Sequence, residues 1–149
     1  KCIYLILILQ TRNMNHEIST IMTTELVTLS PEDKVSDARD IFRNNNFHHL
    51  PITENGILVG VVTTFDLLRI QKPAHEVADI PLKEVMTTKL AVLNPSDKIG
   101  AASIVLLQNR FHSVPVVDDQ RTLVGMLTTF DLLKYQYETA YPGDNFPFS

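Results

Sequence analysis

The second half of this chain repeats the first half, segment by segment and in the same order. The block Thr-Thr-Phe-Asp-Leu-Leu at residues 63–68 returns without a change at residues 128–133. Residues 58–60 also return unchanged at 123–125, and other segments return with substitutions: residues 21–24 at 85–88, 30–34 at 94–98, and 47–51 at 111–115. Self-similarity of this extent indicates an internal duplication, so the chain must fold as two similar repeats.

Each copy predicts the same order of elements, namely strand, helix, strand, strand and helix. Val35, Ala38 and Ile41 follow helical spacing, as do their counterparts, so the first helix of each copy buries one face. Ser30 and its counterpart Asn94 are predicted N-caps, because a proline follows each of them. An Asn-Gly pair indicates a hairpin between the later strands. The expected strands are 27–29, 49–53 and 57–63, then 91–93, 113–117 and 123–128; the second helices end near residues 70 and 136.

The repeats set the predicted domain organisation. About 50 residues per copy is too few for an independent core, so we expect the two copies to pack together. The predicted segments are an N-terminal extension at 1–17, repeat 1 at 18–70, a linker at 71–81, repeat 2 at 82–137 and a polar tail at 138–149.

The first residues form an unusual apolar run, Cys-Ile-Tyr-Leu-Ile-Leu-Ile-Leu at residues 2–9. This run is far shorter than the roughly 20 residues that a membrane-spanning helix needs. It resembles the apolar core of a signal peptide, but polar residues follow it instead of a cleavage site. We expect residues 1–13 to lie outside the functional module. The alternative is an extra strand or helix that covers an exposed edge.

Composition excludes several classes of function. The net charge of -4 and the scattered basic residues argue against nucleic-acid binding, which needs a clustered basic surface. The single cysteine, Cys2, permits neither an intrachain disulfide nor a cysteine-rich zinc site. That usage is compatible with a reducing cytosol, and we expect a cytoplasmic protein without a membrane span.

The doubled pattern resembles the CBS domain pair, or Bateman module, over residues 18–137. Three features carry the resemblance: the order of elements, a proline in the middle strand (Pro51 and Pro115), and Gly-x-x-Thr-x-x-Asp before the last helix. The family implies an α+β fold of two pseudo-symmetric β-α-β-β-α repeats that pack through their sheets and enclose two clefts. Members bind AMP, ADP, ATP, S-adenosylmethionine or similar adenosyl compounds there and signal to a partner protein. Stand-alone pairs commonly form homodimers.

The resemblance also assigns ligand-binding residues to the clefts. An ionised aspartate can accept hydrogen bonds from a ribose diol, and a threonine hydroxyl with free N–H groups at a helix start can bind a phosphate. The apolar Val35 and Ile99 would sandwich adenine, and backbone groups beside His48 or His112 would read its edge. One cleft would combine Ser30, Val35, Phe47 and His48 with Met126, Thr128 and Asp131; the other would combine Asn94, Ile99, Phe111 and His112 with Val61, Thr63 and Asp66.

A second interpretation of Thr-x-x-Asp needs no ligand, because a threonine N-cap with an acidic residue three positions later is also a capping box. The chain departs from many nucleotide-binding members in one respect. Phe65 and Phe130 stand directly before the aspartates, where those members carry a basic residue that can meet a phosphate. The departure makes a triphosphate less favoured than a less charged adenosyl ligand.

Catalytic and metal-binding patterns are missing from the sequence. His48 and His49 point to opposite faces of a strand, and neither cysteine nor acidic residues lie at ligand spacing nearby. A nucleophile elbow and a P-loop are also absent. We therefore expect that the protein is not an enzyme, binds no metal and has no cofactor apart from a possible adenosyl nucleotide ligand. The leading hypothesis is a ligand sensor that signals to a separate protein; the alternative is a dimerisation or docking module that binds no nucleotide.

Overall fold

A computed structural model of the protein describes residues 14–143. Residues 1–13 of the predicted extension and residues 144–149 of the predicted tail lie outside the described residues. Single 3₁₀ turns lie at Ile18–Thr20 and Leu82–Glu84. The helices and strands, in chain order, are α1 (Val35–Asn44), β1 (His49–Glu54), β2 (Ile57–Thr63), α2 (Thr64–Leu68), α3 (Ala74–Val77), α4 (Ile99–Asn109), β3 (Ser113–Val117), β4 (Leu123–Thr128) and α5 (Thr129–Ala140).

Two small antiparallel sheets confirm the predicted mixture of helices and strands. Strands β1 and β2 form one sheet, and β3 and β4 form the other. The predicted strand at 27–29 contributes only a single parallel bridge between Leu29 and Ile52, and its counterpart at 91–93 only the bridge between Leu93 and Val116. Val27 and Thr28 face solvent, whereas Leu29 packs against the core.

The hairpin between β1 and β2 has the geometry that its Asn-Gly pair predicts. Asn55 and Gly56 both have positive φ angles, 52° and 83°. A two-residue connection of this kind needs positive φ at both positions, and asparagine and glycine tolerate it best. The register of the sheet follows, with Leu50 opposite Val62 and Pro51 opposite Val61.

The predicted N-caps Ser30 and Asn94 are wrong. Helix α1 begins at Val35 and α4 at Ile99, several residues later than predicted. The backbone N–H of Ser30 donates to the carboxylate of Asp33 (2.6 Å), and that of Asn94 donates to Asp97 (2.8 Å). Each aspartate therefore stabilises a separate turn before the helix. Side chains of serine, asparagine and aspartate often favour such turns, because their local hydrogen bonds to the backbone compete with helix formation.

The described residues divide into two compact units that do not coincide with the two repeats. The first unit contains Glu25–Val92 and Val117–Leu123; the second contains the described residues up to Thr24, Leu93–Val116, and the described residues from Val124 onward. Residues 14–24 and 78–88, which we call the opening segments, are equivalent in sequence. Each opening segment belongs to the unit that contains the helices of the other repeat.

Each opening segment is anchored in the same way. Ile99 donates its backbone N–H to the carbonyl of His16, and Val35 donates to the carbonyl of Ile80, both at 2.9 Å. Ile18 is fully buried in the core of the second unit, as its counterpart Leu82 is in the first unit. The opening segments therefore complete the cores instead of merely connecting the repeats.

The segment at residues 71–81, predicted as a linker, contains structure of its own. Helix α3 lies within it, and Val77 is fully buried in the core of the first unit. Lys34 donates to Asp79 at 2.6 Å, and this hydrogen bond raises the pKa of Lys34 and lowers that of Asp79. The segment is thus held against the start of α1. Helix α5 also continues to Ala140, beyond the predicted end near residue 136.

Among the helices of residues 14–143, none combines the length and the apolar composition that crossing a membrane requires.

Candidate ligand-binding site

Both Thr-x-x-Asp motifs form complete capping boxes. Thr63 is the N-cap of α2, and its hydroxyl accepts from the backbone N–H of Asp66 at 3.1 Å. The Asp66 carboxylate accepts in return, through Oδ2, from the backbone N–H (2.8 Å) and the hydroxyl (2.6 Å) of Thr63. Thr128 and Asp131 repeat this geometry at α5, with distances of 2.7, 2.7 and 3.1 Å. The capping interpretation therefore has a structural basis in both repeats.

Capping occupies only one oxygen of each carboxylate. The capping bonds that the two carboxylates accept all reach Oδ2 of Asp66 and Oδ2 of Asp131. Within residues 14–143, the other oxygen, Oδ1, accepts no hydrogen bond in either residue, and both side chains are half-buried. Since a carboxylate offers about four acceptor positions, the same residue can cap its helix and accept from a ligand hydroxyl.

In each repeat, a Phe-His pair (Phe47-His48 or Phe111-His112) is hydrogen-bonded to the start of the helix that the Thr-x-x-Asp motif caps. The backbone N–H of Thr64 donates to the carbonyl of His48 (3.1 Å), and Thr129 donates to His112 (3.0 Å). Both histidine side chains are exposed. Each carbonyl therefore accepts one hydrogen bond within the fold, and the exposed imidazole is available for contact with a ligand.

The two phenylalanines of these segments differ in their surroundings. Phe47 is half-buried and packs edge-to-face against Phe42, with ring centroids 6.3 Å apart. Phe111 is more exposed, and the residue equivalent to Phe42 is Leu106. The predicted pair Phe47 and Phe111 thus does not form two identical surfaces.

Four predicted apolar contacts belong to the cores. Val35 and Ile99 are fully buried, so a ligand does not reach their side chains in this conformation. Val61 and Met126 are strand residues that are each 7% exposed. Their burial reflects the strict packing of the strands and helices, and sequence alone does not separate a core residue from a pocket wall.

The predicted site residues are divided equally between the units. The groups that the resemblance assigns to each cleft draw on both units, and those groupings stay predictions. The first unit holds Ser30, Val35, Phe47, His48, Val61, Thr63 and Asp66, and the second holds Asn94, Ile99, Phe111, His112, Met126, Thr128 and Asp131.

A basic residue that the prediction did not use follows each motif by one helical turn. Phe65 and Phe130 are exposed, and the guanidinium of Arg69 lies 4.4 Å from the centroid of the Phe65 ring. Lys134 is the counterpart of Arg69 and lies 3.9 Å from Glu138. A positive charge is therefore present beside the motif although the residue before the aspartate is aromatic. The signal was available, because both repeats continue Leu-Leu with a basic residue.

Among the described residues, no three or more histidine, cysteine or acidic side chains come together in a group that could hold a metal ion.

A family model for the CBS domain matches residues 18–72 and again residues 82–138. The chain belongs to the CBS domain family. The two matches cover both Thr-x-x-Asp motifs and both opening turns, so the duplication seen in the sequence is a pair of CBS domains.

Similar proteins include both stand-alone pairs and longer chains. The CBS domain-containing protein YhcV of Bacillus subtilis is 29% identical over 126 residues, which cover 85% of this chain and 89% of YhcV. Two uncharacterized proteins of Methanocaldococcus jannaschii are longer, and the matched region covers only 47% of each. The chain therefore spans about half the length of some relatives and nearly all of another.

Two similar solved structures contain adenosyl compounds. CBSX2 in complex with AMP has a TM-score of 0.75 and 27% identity, and the match covers 84% of this chain and 98% of CBSX2. The CBS domain pair of protein MJ0100, in complex with 5-methylthioadenosine and S-adenosyl-L-methionine, has a TM-score of 0.70 and 26% identity, with 83% and 97% covered. The CBS-pair fold of this chain is thus one that holds adenosyl ligands in related proteins.

Proposed function

We propose that this CBS pair is a regulatory module that binds an adenosyl compound through Asp66, Asp131 or both. The observation that carries the proposal is the unused Oδ1 of each half-buried carboxylate beside a completed capping box. Such an oxygen can accept from the ribose hydroxyls, at about 1.5–3 kcal/mol for each charge-assisted hydrogen bond. The AMP and S-adenosylmethionine complexes of CBSX2 and MJ0100 support the choice of ligand class.

The charges beside the motifs favour a ligand with few phosphates. Arg69 and Lys134 place one cation one turn beyond each aspartate, and the residue before each aspartate is a phenylalanine. One cation suits a monophosphate or the charged amino-acid end of S-adenosylmethionine better than a triphosphate, whose charge needs several partners. We propose that Thr63 and Thr128, with the exposed His48 and His112, complete the polar contacts.

The remaining predicted residues would have supporting roles. Ser30, Asn94, Phe47 and Phe111 would contribute surface around the ligand, and the buried Val35, Ile99, Val61 and Met126 would hold the strands and helices that present it. We further propose that the pair forms a homodimer in the cytoplasm and transmits ligand occupancy to a partner protein.

A second candidate function is a docking or dimerisation module that binds no nucleotide. The completed capping boxes favour it, because they explain both threonines and both aspartates without a ligand.

Calorimetric titration with AMP, ADP, ATP and S-adenosylmethionine separates the two functions. The variants are Asp66→Ala and Asp131→Ala, and the matched control is Asp37→Ala. Asp37 also caps a helix, since its Oδ2 accepts from the backbone N–H of Lys34 at 2.8 Å, but it belongs to no proposed site. The sensor hypothesis expects all three variants to lose stability and only the first two to lose binding.

Thermal unfolding of the same proteins provides the second measurement. A ligand at a hundredfold excess over its dissociation constant stabilises the folded state by about 2.7 kcal/mol. If none of the four compounds raises the midpoint of the unmodified protein, the docking module becomes the better account. If the control loses binding as well, the effect belongs to stability and the assignment of the aspartates is wrong.

A further inference from the structure

The two Thr-x-x-Asp motifs open segments of opposite charge. Residues 66–73 contain one acidic and two basic side chains, so their formal charge is +1. The equivalent residues 131–138 contain two acidic side chains and one basic side chain, so their formal charge is -1. The side chains concerned are Asp66, Arg69 and Lys72 in the first segment, and Asp131, Lys134 and Glu138 in the second. The two repeats therefore share the aspartate but differ in the charge that accompanies it.

Helix length decides whether the cation that follows each motif has a carboxylate beside it. Helix α2 ends at Leu68, and Pro73 stands where repeat 2 has Glu138. Helix α5 continues to Ala140, so Glu138 lies one turn beyond Lys134 on the same helix, with 3.9 Å between Nζ and Oε1. Because residues four positions apart are neighbours on a helix surface, Glu138 offsets the charge of Lys134.

Arg69 has no such carboxylate. Its side chain is exposed, its guanidinium lies 4.4 Å from the centroid of the Phe65 ring, and it forms no ion pair with any residue of the range 14–143. The attraction between a guanidinium and an aromatic face leaves the N–H groups available to other acceptors. Lys72 adds a second positive charge, where repeat 2 has Tyr137. Phe65 thus holds an arginine that is ready to bind an anion.

Arg69 is within reach of a ligand that Asp66 holds. Residues three positions apart along a helical turn have Cβ atoms about 5–6 Å apart, and Arg69 continues the helical backbone as the C-cap of α2. A ribose whose hydroxyls contact Asp66 can therefore direct its 5′ substituent towards Arg69. Both residues belong to the first unit, and Asp131, Lys134 and Glu138 all belong to the second.

We propose that the two motifs select adenosyl compounds by the charge of the 5′ substituent. Asp66 binds the ribose of a compound with a 5′-phosphate, such as AMP, and Arg69 binds the phosphate. Asp131 binds the ribose of a compound without a phosphate, such as 5′-methylthioadenosine or S-adenosylmethionine, because Glu138 repels a phosphate. The proposal rests on the proposed function, in which the aspartates bind the ribose, and it adds the ligand that each aspartate prefers.

Calorimetric titration with AMP and with 5′-methylthioadenosine measures this preference. The two compounds share adenine and ribose and differ in the 5′ substituent. The ratio of their dissociation constants therefore reports the response to the phosphate, and a loss of stability or of ribose binding cancels from it. Each motif is measured alone, Asp66 in the Asp131→Ala background and Asp131 in the Asp66→Ala background.

In the Asp131→Ala background, Arg69→Gln should weaken the binding of AMP about tenfold, because a charge-assisted contact with the phosphate is lost. The binding of 5′-methylthioadenosine should stay within about twofold. Arg43→Gln is the matched control, since Arg43 is an exposed arginine of the same unit that belongs to no proposed site, and it should change neither affinity. The preference for AMP should also decrease as the salt concentration rises, because salt screens exposed charges.

In the Asp66→Ala background, Glu138→Gln should strengthen the binding of AMP about threefold relative to 5′-methylthioadenosine. The substitution removes the repulsion of the phosphate and leaves Lys134 without its carboxylate neighbour. Glu138→Asp keeps the negative charge and serves as the control, with an unchanged ratio as the expected result.

An unchanged ratio in both Arg69→Gln and Glu138→Gln would overturn the proposal. So would an equal loss of both compounds in Arg69→Gln, because Arg69 would then have only a structural role. If neither compound binds to the unmodified protein, the proposed function itself is wrong, and this proposal fails with it. The same ratios are measured for Arg69→Gln and Glu138→Gln with both aspartates present, so the test does not depend on the folding of the alanine backgrounds.

Discussion

Asp66 and Asp131 each have a structural role in a capping box, and under the proposed function each would also bind the ligand. Oδ2 accepts both hydrogen bonds from the N-cap threonine, and Oδ1 accepts no hydrogen bond within the described residues. The capping contribution can be measured separately by changing the threonine instead of the aspartate.

Substitution of Thr63 by valine removes the hydroxyl that accepts from Asp66 N–H and donates to Asp66 Oδ2. We expect the free energy of unfolding to fall by about 0.5–2 kcal/mol, as for other lost N-caps. Urea denaturation measures the change, and Thr63→Ser, which keeps the hydroxyl, serves as the control. Equal stability of the valine and serine variants would show that the hydroxyl of Thr63 contributes nothing to the stability of the capping box.

At the scale of the elements, the opening segments explain a glycine in each returning strand. Met86 lies across β2 so closely that a Cβ at Gly60 would collide with its sulfur, and Met22 lies across Gly125 of β4 in the same way. A side chain at either glycine would therefore force the neighbouring methionine to move, while the φ angle of the glycine is ordinary.

Alanine at Gly60 should destabilise the protein by about 1–3 kcal/mol, because the Met86 side chain must move within a packed region. The double variant Gly60→Ala/Met86→Ala should lose less than the sum of the two single variants, because the smaller residue makes room for the new methyl group. Chemical denaturation of the four proteins gives the coupling energy. Strict additivity would mean that the two residues do not compete for space.

At the scale of the whole molecule, each opening segment completes a core that is built mainly from distant sequence. Ile18 contacts the core that contains Leu93, Val114 and Leu127, and Leu82 contacts the core that contains Leu50 and Val62. The residues of one repeat thus stabilise the helices and strands of the other.

Truncation of Ile18 and of Leu82 should produce opposite patterns of protection against hydrogen exchange. Ile18→Ala and Leu82→Ala each leave a cavity and should cost about 2–5 kcal/mol. Hydrogen exchange should accelerate most in β3 and β4 for Ile18→Ala, and most in β1 and β2 for Leu82→Ala. The reverse pattern would contradict the assignment of the opening segments to the two units.

The sequence by itself determined the duplication, the order of the elements, the Asn55-Gly56 hairpin and the two capping boxes. These features depend on residues close together in the chain, where spacing and backbone preference decide the outcome. It also identified the CBS pair, because the motifs recur twice in order.

Only the tertiary structure decided the burial of Val77 and the exchange of the opening segments, because both depend on contacts between residues far apart in sequence. The later helix starts at Val35 and Ile99 depend on a local competition that Asp33 and Asp97 win, and the proline that follows Ser30 and Asn94 did not reveal its outcome. Whether an apolar residue such as Val35 or Leu107 is buried or exposed follows from those contacts, which local patterns do not contain.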